Sequence, residues 1–231
     1  MKSKRIVIIF LALSCAACST IQRAEERREY NLRGQRIPAG TAEAEFFNVL
    51  VKGNLKKQDL TFTYYPEDDA VCLEYRHNLM ISYYQFWSRS NRTAFVKALE
   101  QYKLDYADRN LKTKNKMQSK RQYKTEEAFM VWETSRYSTF CFGWPRLELG
   151  YQFMNNSPYF SITQRETDNE EPVTKPDNTT SENVVIYFTR AQADEVAAIF
   201  DQTYLESLKP LPPPVRPSDS IIDESYVEGD F

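Results

Sequence analysis

The sequence predicts an α+β protein: two copies of an antiparallel four-stranded β-meander, each followed by an α-helix, with the helices packed on a curved sheet. Three observations carry that expectation. The runs QFWSRSNRTAFVKALEQ (85–101) and IYFTRAQADEVAAIFDQ (186–202) align at a constant offset of 101 residues. Each reads as a strand end passing into an amphipathic helix. Several β-type segments, rich in aromatic and branched residues and parted by turn chemistry, precede each run.

At that offset Phe86 meets Tyr187, Trp87 meets Phe188, Ser88 meets Thr189, Arg89 meets Arg190, Asn91 meets Gln192 and Leu99 meets Phe200. An internal repeat bears on architecture before any local feature does. In the first half, Phe46–Lys52, Thr61–Tyr65, Val71–Arg76 and Met80–Trp87 read as strands. Val71, Leu73 and Tyr75 alternate with Cys72, Glu74 and Arg76, the period of a half-buried strand. Pro66-Glu67-Asp68-Asp69 and His77-Asn78 supply turns. Ala42–Val51 has a short helix as its other reading. Ala94, Phe95, Ala98, Leu99, Tyr102 and Tyr106 then keep one helical face.

In the second half, Phe129–Thr134, Ser138–Trp144, Leu147–Phe153, Tyr159–Gln164 and Val184–Thr189 read as strands, and Asp168–Asn183 as a long polar loop. Thr189-Arg190-Ala191-Gln192 matches a capping box, in which the threonine oxygen and Gln192 satisfy amide groups at a helix start. Val196, Ile199, Phe200, Thr203 and Tyr204 likewise keep one helical face. The doubled order strand-strand-strand-strand-helix is similar, in topology, to the repeat of the PUR nucleic-acid-binding family.

The chain opens MKSKRIVIIFLALSCAACST. Lys2, Lys4 and Arg5 precede an apolar run, Ile6–Ala17, broken only by Ser14. Twelve residues fall short of the roughly 20 that a helix needs to cross a bilayer, and they fit the apolar region of a secretory leader. Ser14-Cys15-Ala16-Ala17-Cys18 resembles the lipobox of bacterial lipoproteins, in which a cysteine becomes the first residue of the mature chain and carries acyl groups. The resemblance implies Cys18 as the lipidated residue, with Cys15 as the alternative. It also implies a cell-envelope location, and Ser19 after the cysteine favours an outer membrane where the cell has one.

The expected organisation is a leader at 1–17, a lipidated cysteine and charged tether at 18–41, and one domain at 42–208. Within it the copies are 42–106 and 126–208, with a basic linker at 107–125. A tail at 209–231 follows, with five prolines between 210 and 217 and an acidic end. Proline-rich sequence of this kind favours extended polyproline structure.

Removing the leader takes three of the 30 basic residues and no acidic one, leaving 27 basic against 32 acidic residues. An acidic, exported chain argues against nucleic acid as a partner. The only histidine is His77, in a turn, so a catalytic triad or a zinc site lacks its usual ligands. Six glycines leave no phosphate-cradling loop. No cofactor and no metal is expected, and the chain does not read as an enzyme.

Four features remain as candidates. Arg89 and Arg190 recur at strand-to-helix junctions, where anions are favoured. Cys72 and Cys141 are available for a disulfide outside the cytoplasm. Glu133, Glu148, Asp68 and Asp69 are the carboxylates a glycosidase pair would draw on. Tyr64, Tyr65, Tyr83, Tyr84, Phe86 and Trp87 would line a groove for a sugar or peptide. The functional expectation is a membrane-anchored, non-catalytic protein that binds or scaffolds an envelope partner. The alternative is a module that takes a glycan, lipid or peptide on its sheet face.

Overall fold

The computed structural model describes residues 34–47, 55–77, 81–111, 120–134, 139–154, 156–170 and 180–210. Cys15, Cys18, the leader and the acidic tail lie outside the described residues. In chain order the elements are β1 (Ile37–Phe47), β2 (Leu55–Tyr65), β3 (Ala70–His77), β4 (Ile81–Trp87) and α1 (Arg89–Ala107). Then come β5 (Lys120–Glu127), β6 (Phe129–Thr134), β7 (Thr139–Gly143), β8 (Arg146–Met154), β9 (Ser157–Gln164), β10 (Val184–Phe188), α2 (Arg190–Ile199) and α3 (Gln202–Ser207).

The ten strands of the described residues form one antiparallel sheet, ordered β5-β8-β9-β10-β1-β2-β3-β4-β6-β7. This overturns the expected pair of meander-plus-helix units: the molecule is mostly β, with one curled sheet forming a half-barrel and few helices. The halves are not separate layers, because β10 pairs directly with β1 through Glu45↔Tyr187 and Phe46↔Ile186. Nor does the second half stay together, because β6 leaves it to pair with β4.

The register explains the curl. Pairs Glu127↔Arg146 and Met130↔Gly143 belong to the same antiparallel alignment. The segments β5–β6 and β7–β8 are therefore one long hairpin, bent at Ala128 and Trp144-Pro145. Its β8 half pairs with β9 and its β6 half with β4, so one hairpin supplies both ends of the sheet. Helix α1 packs against β4, β5 and β8, on one side of the bend. On the other side Glu170 donates its amide to the Phe142 carbonyl at 2.9 Å. A Cβ on Gly143 would stand 2.7 Å from the Asp168 carbonyl oxygen; that backbone cannot yield, so glycine is required where the two chains touch.

Alternation sorts side chains between two faces. Leu60, Phe62, Val71, Leu73, Tyr75, Tyr83, Trp87, Met130, Trp132, Leu149, Phe160, Ile162 and Phe188 point inward, against Phe95, Leu99, Tyr102, Val196 and Phe200 of the helical segments. Phe95 meets Phe160 and Phe200 edge-on, with centroids 5.2 Å apart in each case. A β-bulge at Pro38/Gly40 gives Gly40 a φ of +133°, and the Ile199 side chain sits 3.5 Å from where its Cβ would be. Glycine thus lets α2 lie close on β1.

The capping box read at Thr189 is present, and the aligned Ser88 forms a second. The Asn91 and Gln192 amides donate to Ser88 Oγ and Thr189 Oγ1, each at 3.3 Å. The Ser88 and Thr189 amides donate back to Asn91 Oδ1 and Gln192 Oε1 at 3.1 and 2.8 Å.

Two boundaries move. Residues 37–41, expected to end the tether, begin β1, since Ile37 and Ala39 are buried. Residues 120–125, expected in the basic linker, open β5. Ala42–Phe47 is strand, not helix.

Candidate functional site

The outer face of the sheet is not uniform. Over β9, β10 and β1 it is mixed, with Ser161, Thr163, Glu43 and Glu45 beside Val185 and a Tyr159–Tyr187 ring pair. Across β2, β3, β4, β6 and β7 it turns apolar, and the pairing lays its side chains in rows. One row runs Thr63, Cys72, Phe86, Phe129. The next runs Thr61, Glu74, Tyr84, Val131, Phe142. A third holds Arg76, Ser82, Glu133 and Phe140. Most of the first two rows, with Arg36, Tyr65 and Phe140, line a groove of about 540 Å³.

The groove has a packed floor. Tyr65, Cys72 and Phe86 form a second hydrophobic cluster, separate from the main core, with Tyr84, Phe129 and Val131 packed against it. Phe86 lies 5.5 Å from both Tyr65 and Phe129, and Trp144 lies 5.4 Å from Phe129, centroid to centroid. Phe140 stands at the rim, 57% exposed. The Arg36 guanidinium lies 5.7 Å over the Tyr65 ring at the other end.

Burial keeps these groups neutral. The Cys72 thiol is pushed up to about 12, first by burial and then by the Glu74 carboxylate. Tyr65 and Tyr84 are raised chiefly by burial as well. A protonated thiol and protonated phenols give the groove hydrogen-bonding capacity and apolar surface, not a nucleophile.

The expected aromatic set is divided by strand alternation. Tyr65, Tyr84 and Phe86 are in the groove, whereas Tyr64, Tyr83 and Trp87 are in the main core. Sequence reading missed Phe129, Phe140 and Phe142; their signal was the alternation FMVWE and FCFG, whose odd-face aromatics needed the β4–β6 pairing to become neighbours of Phe86.

The predicted disulfide is absent, and its geometry forbids it. Cys141 packs in the inner core and Cys72 in the outer cluster. They lie on opposite faces, three strand steps apart, or about 14 Å, against the roughly 7 Å limit for bridged Cα atoms.

Arg89 and Arg190 occupy unlike settings. Arg89 Nε is 2.9 Å from Asp69 and its Nη2 is 3.2 Å from Glu206. Arg190 instead lies 3.9 Å over the Tyr106 ring. The arginine that matters more to packing is Arg92, 2% exposed. It donates to the Asp69 carbonyl and carboxylate and to Gln202 at 2.7 Å, and to the Trp87 carbonyl at 3.0 Å.

The carboxylates are dispersed. Glu148 is clamped by Arg146 at 2.9 Å and by Arg165 at 3.0 and 2.8 Å. Asp69 is held by two arginines, and Glu133 lies across from Phe140 in the β6–β7 pairing. His77 Nε2 is 3.3 Å from Glu182. Among the described residues no group of three or more His, Cys, Asp and Glu is placed to hold a metal ion. No described helix is long and apolar enough to cross a membrane.

A family model described as an uncharacterised Treponema protein matches residues 37–207. The chain belongs to that bacterial family. The match begins at β1 and ends at α3, so it takes in the whole curled sheet, both walls of the groove included. No curated protein and no solved structure matches the chain.

Proposed function

We propose that this chain is a lipid-anchored envelope protein that binds a partner protein, without catalysis, through the aromatic groove on its outer sheet face. The groove is the observation that supports the reading. Aromatics gathered on one groove of a sheet's outer face are what interfaces enrich. The leader's likeness to a lipobox supports the anchor at Cys18, and a tether would hold the groove within reach of other envelope proteins.

A second reading draws on the groove's size. At about 540 Å³ it falls within the roughly 300–1,000 Å³ of small-ligand sites, so a glycan, lipid or peptide is the alternative occupant.

A photoreactive phenylalanine analogue at position 142, in intact cells, tests the binding role. The expected result is an adduct with one protein, lost when Phe140 becomes Glu. Protection by a small ligand with no protein adduct would favour the second reading. Fatty-acid labelling tests the anchor: label that survives removal of both Cys15 and Cys18 would sink it.

A further inference from the structure

We infer that the groove recognises a cation: an arginine or lysine side chain of the partner protein, its charged end at Glu74 and its aliphatic stem along the aromatic floor. The inference rests on the reading of the groove as a protein-binding site and names the chemistry that site selects. Two charged residues, Arg36 and Glu74, stand in the groove's described lining. The Arg36 guanidinium is already seated over the Tyr65 ring. Glu74 is exposed, and among the described residues its carboxylate makes no ion pair and no hydrogen bond. Arg76, two residues on along the same face, does not pair with it. Arg76 and Glu133 share the next row and carry opposite signs, so Glu74 sets the sign of the groove.

The strand register gathers rings around that carboxylate. Glu74 stands directly across from Tyr84, and their row continues through Val131 to Phe142. Cys72 precedes Glu74 on the same face, and Phe86 lies across from Cys72. The carboxylate raises Cys72, Tyr65 and Tyr84 alike, so it stands within reach of all three. A cation seated there gains twice, from the carboxylate and from the ring faces, whose quadrupole attracts positive charge. An acidic side chain would meet like charge instead.

Shape selects a long side chain over a bare ion. Arginine and lysine lay an apolar stem on apolar surface and keep the charged end at a polar site. The groove offers that order: Phe129 lies across from Phe86, Tyr84 follows on the same face of β4, and Glu74 lies across from Tyr84. A metal ion lacks ligands here. Among the described residues no group of three or more His, Cys, Asp and Glu is placed to hold one, and burial keeps the Cys72 thiol protonated.

The test begins with the photoreactive phenylalanine analogue at position 142 of the full chain in intact cells. The expected adduct maps to a partner peptide with Arg or Lys within about two residues of the cross-link, since an extended segment rises only about 3.3 Å per residue. A synthetic copy of that peptide should bind the purified full chain and change the emission of Trp144, which lies beside Phe129. Glu74→Gln should weaken binding about fivefold, the upper end for an exposed ion pair, and Glu74→Arg should weaken it further, with the native circular dichroism retained. Exchanging the peptide's basic residue for Glu should restore binding to Glu74→Arg and abolish it for the unaltered chain. A captured peptide without a basic residue there, or binding unmoved by Glu74→Arg, overturns the cationic contact and leaves the binding site standing. An adduct only to a second copy of this chain, or protection of the groove by dodecylphosphocholine with no protein adduct, assigns another occupant and overturns the proposal. No adduct and no protection overturns the binding site as well.

Discussion

The Tyr75 hydroxyl on β3 donates to Oε1 of Gln164 on β9 at 2.5 Å, across the interior of the curled sheet. The same oxygen accepts from Gln85 Nε2 at 2.5 Å, and Gln85 accepts from Trp87 Nε1 at 3.2 Å. Gln164 closes the network by donating to the Glu182 carbonyl at 3.1 Å. Strands five places apart in the sheet are thus tied by buried side chains, each with its partners satisfied, and that is what holds the curl from the inside.

Changing Gln164 to Leu should therefore cost more than its loss of one residue's bonds. It would remove the acceptor shared by the Tyr75 hydroxyl and the Gln85 amide, which would keep only their bond to each other at 3.1 Å; each buried polar group left under-satisfied costs about 1–3 kcal/mol. A total loss of about 3 kcal/mol is expected in urea unfolding. Tyr75→Phe, which removes a donor and leaves Gln85 on Gln164, should cost about 1 kcal/mol. Equal effects from the two would show that Gln164 is not the hub.

The two domain cysteines should behave as buried thiols. At neutral pH the Cys72 thiol, pushed up to about 12 by burial, has almost no thiolate, the form that reacts with alkylating agents, and Cys141 is shielded in the inner core. Cys72 and Cys141 are expected to resist iodoacetamide in the native protein and to take up two labels after denaturation. Reductant should leave both results unchanged. A mass loss of two hydrogens that reductant reverses would contradict the opposed faces.

His77 sets a pH dependence whose sign follows from burial. Loss of hydration lowers its pKa below 6.5, and the Glu182 carboxylate offsets this only in part. Between the lowered native value and 6.5 the unfolded chain binds more proton than the native one, so stability rises with pH there. The contribution is present above 6.5 and is lost as pH falls through the native value. Melting temperature should drop on acidification through this window, and His77→Asn should flatten that part of the curve. A native state that gains stability as His77 protonates would reverse the assignment.

Local elements were legible in the sequence, and their assembly was not. Alternation at Val71–Tyr75 and the capping box at Thr189 depend on neighbours within a few residues, and both appear in the structure. The sheet order depends on β6 choosing β4 over its own half. The choice is set by long-range pairing of Tyr84 with Val131 and Tyr83 with Trp132, and no local pattern encodes it. The end of the expected linker, 120–125, is strand instead: Tyr123 packs on Tyr151 at 5.9 Å and donates to Asp105 at 2.8 Å, contacts that a run of basic residues does not announce. The groove was legible in part for the same reason. Tyr84 and Phe86 could be named, but alternation set Tyr83 and Trp87 on the other face, and Phe129 and Phe142 arrived from elsewhere in the chain.

The arginines offer the sharpest contrast between repetition in sequence and weight in structure. Arg89 recurs at the repeat offset, yet its side chain is 59% exposed and its ion pairs face water. Such pairs are worth roughly 0–1 kcal/mol, so Arg89→Ala should fall in that range. Arg190→Ala loses a contact with the Tyr106 ring at an exposed site, about 0.5–1 kcal/mol. Arg92 has no counterpart at the offset, where Ala193 stands. Its buried guanidinium joins the β2–β3 turn, the end of β4 and the start of α3 through four hydrogen bonds. Breaking a fully buried pair costs about 3–5 kcal/mol; Asp69 keeps some exposure and retains Arg89, so Arg92→Met should cost nearer 3. The order Arg92 well above Arg190 and Arg89 is the expected outcome of chemical unfolding. A larger loss at Arg89 than at Arg92 would mean that the repeated arginine, and not the buried one, holds the strand ends to the helices.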